Sequence, residues 1–223
     1  MDKLGHGLSA YHLSRGLSFA FEAAGNSKRE ALWKASLSSW TYLAGIEVMD
    51  GFSSQWGASA GDLLANTVGC GLLLGQEYAW REQRILPKFS YHSTPYPALR
   101  PSVLGQNAVE QLLKDYNGQT YWLSANIHAF APRLPLPQWL NLAVGYGGRG
   151  MIMGQNNLVN DVFFPDPQFT RKYYLSLDVD LSRIRTQKRW LKWVLEAVNT
   201  LKIPAPTLSW SEHGKPNVYI LYF

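Results

Sequence analysis

Residues 173–182 read Tyr-Tyr-Leu-Ser-Leu-Asp-Val-Asp-Leu-Ser. Tyr173, Leu175, Leu177, Val179 and Leu181 fall on one face of an extended chain, and Ser176, Asp178, Asp180 and Ser182 on the other. A period of two with one apolar and one polar face predicts a strand covered on one side. The face carrying Asp178 and Asp180 reads as solvated, with a cation site as the alternative. The same alternation recurs in Tyr121–Ala129 and in Leu140–Tyr146. Two last strands, about Thr207–Ser211 and Asn217–Phe223, flank a turn at His213-Gly214-Lys215-Pro216. Helical spacing returns near 107–116 and over 186–201, where it stops before Pro204.

Upstream of about residue 85 the pattern is helical. One helix runs from Asp2 to Ala24 and stops at Gly25-Asn26. A second starts at the capping box Ser27/Glu30, in which side chains satisfy free amides at the helix start, and reaches Met49. A third opens on Ser59 and Asp62, a second capping-box spacing, and reaches Gln83. Short connections make these helices antiparallel neighbours. The expected class is α+β. A helical unit over 1–84 carries a polar constellation, and a Pro-rich linker over 85–106 comes after it. Residues 107–223 form an antiparallel sheet, a platform or partial barrel, with inserted helices.

Composition narrows the function classes. The chain has 223 residues, 46% of them apolar, 13% aromatic and 17% charged. That excludes a disordered chain and a coiled coil. The single cysteine, Cys70, excludes an internal disulfide framework. The net charge of +5 suits an anionic partner, but the charges are scattered. The densest basic cluster, Arg183, Arg185, Lys188, Arg189 and Lys192, comes with no nucleic-acid motif, so nucleic acid is not expected. No span reaches the roughly 18 apolar residues of a transmembrane helix. Abundant Trp and Tyr still suit a membrane interface. The terminal aromatic of Val218–Phe223 is a feature of outer-membrane barrels. Five or six strands are too few for a bacterial barrel, so an ordinary last strand is the preferred reading. Gly145-Tyr-Gly-Gly-Arg-Gly150 comes after a strand but opens no helix, so a tight turn is expected there and not a phosphate loop.

The residues that point to chemistry lie in the helical part. Asp2 and His6 are four apart, Glu47 and Asp50 three apart, and Asp62 and Asn66 four apart with Gly69 continuing that face. In an up-down-up arrangement all three pairs meet at one end. Burying such groups is costly unless they pair, bind a metal or do chemistry. Single members have simpler explanations: Asp62 as a cap, Asp2 at a helix start, Glu47 and Asp50 in solvent, and Lys3 as a neutralising partner. Together, Asp2, Lys3, His6, Glu47, Asp50, Ser59, Asp62 and Asn66 form the candidate binding site. His6, Glu47 and Asp50 are its candidate catalytic groups. No cofactor is expected. His6 with Glu47, Asp50 or Asp62 leaves room for a divalent metal, although one His with carboxylates is not a specific zinc pattern.

Three motifs carry a resemblance: Asp2-Lys-Leu-Gly-His6, Ile46-Glu-Val-Met-Asp50-Gly, and Trp56-Gly-Ala-Ser59-Ala-Gly-Asp62-Leu-Leu-Ala-Asn66-Thr-Val-Gly69. They resemble the YfiM-like bacterial family of predicted periplasmic lipoproteins of unknown function. Leu113–Ser124, Trp139–Gly147 and Ile203–Thr207 resemble its longer Bacteroidetes-type members. Asp2, Lys3, His6, Asp62, Asn66 and Gly69 are also distantly similar to the VanZ-like envelope family, whose helices span membranes; the helices here are more polar. The resemblance implies a location in the cell envelope, in the periplasm or outer membrane, with an export segment upstream of Met1. It further implies a membrane-associated accessory protein for an envelope lipid, glycan or outer-membrane protein. The alternatives are an envelope hydrolase or transferase with His6 as base, and a small outer-membrane barrel.

Overall fold

The computed structural model describes residues 1–52, 57–152, 158–159, 162–163, 169–212 and 214–223. The turn expected at His213 and Trp56 of the third motif lie outside the described residues. The chain divides into two compact units, Asp2–Pro87 and Lys88–Phe223.

The first unit is built on α1 (Asp2–Ala23), α2 (Lys28–Asp50) and α3 (Ala60–Trp80). The Ser27/Glu30 capping box forms as expected. Ser59 precedes α3 but makes no side-chain cap, and α3 ends at Arg81, whose φ of 58° is left-handed. The helix interfaces are lined largely by small residues: Ala10, Ser14 and Ser18 on α1, Ala31, Ala35, Ser36 and Ser39 on α2, and Gly69 and Cys70 on α3. A Cβ on Gly69 would lie 2.2 Å from the Gly7 carbonyl oxygen, so α1 and α3 touch backbone to backbone there. Small residues at helix interfaces permit this close approach. The large side chains go elsewhere: Trp33, Leu37, Trp40, Leu64 and Val68 are exposed. At the far end a compact cluster of Tyr11, Leu32, Leu73 and Leu86 closes the unit. There Gln76 Oε1 accepts the amides of Arg84 and Ile85 at 2.9 and 2.8 Å.

Residues 85–106 are not an extended linker. They form β1 (Ile85–Tyr91) and two single-turn helices, α4 (Tyr96–Leu99) and α5 (Pro101–Leu104). Prolines 95, 97 and 101 start helical turns, where a missing amide costs nothing. Next come α6 (Ala108–Lys114), β2 (Gln119–Asn126), α7 (Ile127–Phe130) and β3 (Leu140–Arg149). After β3 lie a two-residue pair, β4 (Leu158–Val159) and β5 (Val162–Phe163), then β6 (Thr170–Val179) and a 3-10 turn (Leu181–Arg183). The chain ends with α8 (Arg189–Val198), β7 (Ala205–Ser211) and β8 (Asn217–Tyr222). The main sheet runs β1-β2-β3-β6-β7-β8 and is open; among the described residues β1 and β8 do not pair with each other. Gly145–Arg149 is strand, not a turn. Gly145 is needed because a Cβ there would lie 2.6 Å from the Trp122 ring.

The sheet reverses the expected sidedness. Trp122, Ser124 and Asn126 of β2, Asn141 and Ala143 of β3, Tyr174, Ser176 and Asp178 of β6, and Thr207 and Ser209 of β7 are buried. Asp178 and Asp180, expected in solvent, are each 1% exposed. Their burial is possible because they are saturated with partners. Lys88 Nζ lies 2.8 Å from Asp178 Oδ2. Ser124 Oγ donates to the same oxygen at 2.6 Å, and the Ile203 amide donates to Oδ1 at 3.1 Å. Asn141 donates to Ser124 Oγ and accepts from Asn126. Asp180 accepts from the Ser182 amide, Asn199 and Arg183. Lys202 Nζ donates to the carbonyls of Leu177 and Ile203 and sits 4.9 Å over the Trp122 ring. Burial lowers the Lys202 pKa to about 8, with Lys88 adding to the shift and Asp178 opposing it.

Consequently the aliphatic residues face out. Leu123, Leu142, Val144, Leu177, Leu208 and Val218 are all exposed. Strand register places Leu123, Val144, Leu175, Leu208 and Val218 in one row across five strands. Two residues along, Tyr121, Tyr146, Tyr173 and Trp210 form a parallel aromatic row. Its ring centroids are 5.6 Å apart for Tyr146–Tyr173 and 6.3 Å for Tyr173–Trp210.

Candidate functional site

The start of α1, the end of α2 and the start of α3 bring most of the predicted polar residues together. Lys3 Nζ lies 2.5 Å from Asp62 Oδ1, 2.9 Å from Ser59 Oγ and 3.4 Å from Asp2 Oδ2. Gly61 makes room for the Lys3 stem, since a Cβ there would lie 2.9 Å from Lys3 Cε. Ser59 thus receives the lysine rather than capping α3. Burial alone would raise the Asp62 pKa, but the hydrogen bonds from Lys3 and Ser59, with the charges of His6 and Lys3, outweigh it and hold the carboxyl low. Lys3 is correspondingly raised, chiefly through its hydrogen bond to Asp62 and against its own desolvation.

His6 is the centre of the cluster. Its Nδ1 is 3.5 Å from Glu47 Oε1, and its Nε2 is 3.8 Å from Asp62 Oδ1 and 4.0 Å from Asp2 Oδ1. Glu47 is buried, and its other oxygen faces the Ser59 amide at 3.4 Å. Asn66 is fully buried, and neither polar atom of its side chain has a hydrogen-bond partner among the described residues. Asp50 is half-buried at the end of α2, and its side chain makes no hydrogen bond or ion pair with the described residues. Asp2, His6 and Asp62 each offer one ligand atom, all within 4.8 Å of one another.

Sequence reading missed the buried polar residues of the sheet, Lys88 and Lys202 above all. The signal was present as Ser124, Asn126, Asn141, Ser176 and Asp178, which fall on matching faces of three strands.

A second feature of the Lys88–Phe223 unit is an open cavity of about 530 Å³ lined by Gln138, Trp139, Val179, Arg183, Ile184 and Arg185. It lies beyond the Leu140–Val179 pair, at the end of the outward aliphatic face.

Residues 1–74 match a family described as predicted periplasmic lipoprotein (DUF2279). The match contains α1, α2 and most of α3, with every residue of the polar cluster, and it is to an uncharacterised family of the cell envelope. No curated protein and no solved structure matches the chain. No helix among the described residues is long and apolar enough to cross a membrane.

Proposed function

We propose that this is a non-enzymatic accessory protein of the bacterial envelope that works against lipid, on the periplasmic side of the outer membrane. One observation carries the reading: the sheet buries its polar face and turns an aliphatic face outward, with an aromatic row beside it. In water that arrangement is unfavourable, because the aliphatic side chains gain nothing by exposure and the polar ones must be satisfied inside. Against hydrocarbon the balance reverses, and Tyr and Trp suit the boundary where apolar tails meet head groups. The small-residue interfaces of the helical unit, with Trp33, Leu37 and Trp40 outside, obey the same logic when that unit is taken by itself. The periplasmic description of the matched family supports the compartment, as does the likeness of the three motifs to the YfiM-like lipoproteins. The sheet is open, so the contact proposed is with one face and not through a closed barrel.

The test is flotation of the purified chain with vesicles of phosphatidylethanolamine and phosphatidylglycerol, in low and in high salt. The expected result is flotation in both, because apolar contact is not screened. Protein that stays at the bottom of the gradient, or leaves the vesicles in high salt, overturns the reading.

A further inference from the structure

The geometry points to a divalent-cation site formed by His6 Nε2 and the carboxylates of Asp2 and Asp62, with Glu47 as the residue that orients the histidine. The buried Glu47 carboxylate beside His6 Nδ1 favours the tautomer that keeps a hydrogen there. Nε2 then presents a lone pair, and the groups facing it at 3.8 and 4.0 Å are two carboxylate oxygens. Three electron-rich atoms facing one another favour a positive centre between them, and of the three Lys3 Nζ meets only the two carboxylates, at 2.5 Å from Asp62 and 3.4 Å from Asp2. Metal bonds to nitrogen and carboxylate oxygen are about 2.0–2.2 Å, so two of them span up to about 4.2 Å. Both distances from Nε2 fall inside that span.

Charge points the same way. Asp2, Glu47 and Asp62 bring three carboxylates to the cluster, and Lys3 is the lysine that pairs with two of them, Asp2 and Asp62. Lys3 is half-exposed on a flexible stem, so it can move off Asp62 when an ion arrives. An independent observation is Asn66. It lies one turn beyond Asp62 on the same face of α3, fully buried and without partners among the described residues. Helical side chains lean toward the helix N-terminus, so its amide is directed to the level of Asp62. There its oxygen can accept from a water on the ion. The single imidazole among oxygens selects a transition ion such as Zn²⁺ or Mn²⁺ over Ca²⁺.

The experiment is calorimetric titration of the full chain with Zn²⁺, Mn²⁺ and Ca²⁺, alongside four variants. Wild type should bind one Zn²⁺ or Mn²⁺ saturably and Ca²⁺ far more weakly. Asp2→Asn, at an exposed position that does not threaten folding, and His6→Ala should lose binding. Glu47→Gln should weaken it by about 10- to 100-fold, as loss of an orienting partner does. Lys3→Met should keep or tighten it, because a competing cation is removed. Absence of saturable binding to wild type, or binding unchanged in Asp2→Asn and His6→Ala, overturns the site. A positive bridge that is only a proton on His6 gives the first of those results. None of these outcomes depends on vesicle binding.

Discussion

Lys88 Nζ and Asp178 Oδ2 lie 2.8 Å apart with both side chains at 0% exposure, and this pair holds the polar interior of the sheet. Lys88 also donates to the Val179 carbonyl at 2.8 Å, so it ties β1 to the end of β6. Removing one member leaves a buried charge without its partner. Asp178→Asn or Lys88→Met should destabilise the protein by about 3–5 kcal/mol. Removing both should cost less than the two single changes together. Urea unfolding of the cycle checks this. Additive losses would mean that the two charges do not depend on each other.

Lys202 gives the sheet a pH signature. Its pKa falls from an ordinary 10.5 to about 8 on folding. Between those values the unfolded chain holds a proton that the native chain has lost, so this group makes stability rise with pH. Below about 8 both states hold the proton, and the cost of burying the charge is fully present. The stability difference between wild type and Lys202→Met should therefore shift toward wild type from about pH 7 to about pH 9.5. Melting temperatures of the two proteins across that range are the measurement, and parallel curves would contradict it.

Contact between α1 and α3 at Gly7 and Gly69 leaves no room for a methyl group. Gly69→Ala must push two backbones apart and should cost about 1–3 kcal/mol, although alanine is the better helix former. Gly71, where a Cβ meets nothing within 4 Å, is the control: Gly71→Ala should be neutral or stabilising. Equal melting temperatures for the two variants would contradict the backbone contact.

The outward face of the sheet separates stability from binding. Leu123→Thr, Val144→Thr and Leu177→Thr put β-branched residues at exposed strand positions. Each should change folding stability by no more than about 0.5 kcal/mol. Combined, they should sharply reduce flotation with vesicles. Unfolding curves and gradients on the same samples test both halves. A triple variant that folds and floats like wild type would remove the outward face from the lipid contact.

Periodicity is enough to read the longer helices and most strands of the main sheet, but not the single-turn helices α4, α5 and α7. The alternation in Tyr173–Ser182 marks β6 as far as Val179 but runs on past its end into the 3-10 turn at Leu181–Arg183, and the spacing around Ser27/Glu30 marks the start of α2. β1 was hidden because Pro87 interrupts it and prolines 95, 97 and 101 crowd the next turns, so Ile85–Tyr91 looks like linker while its outer edge meets residues 200–202. A period of two also marks two faces without saying which one is buried. That choice depends on partners far away in sequence. Asp178 needs Lys88 and Ser124, and Asp180 needs Asn199. The polar cluster was more legible, because residues four apart share a helix face and short loops bring helix ends together. Ser59 still took Lys3 in place of its expected capping role, a choice made by a residue 56 positions away.

The most direct test of the lipid-facing account is a nitroxide label at Val144→Cys in a Cys70→Ser background, with its accessibility to oxygen and to a water-soluble nickel chelate read by electron spin resonance. The account predicts that adding phosphatidylethanolamine–phosphatidylglycerol vesicles raises collisions with oxygen and suppresses collisions with the chelate. Unchanged accessibility to both reagents, in protein shown to be folded, would contradict it.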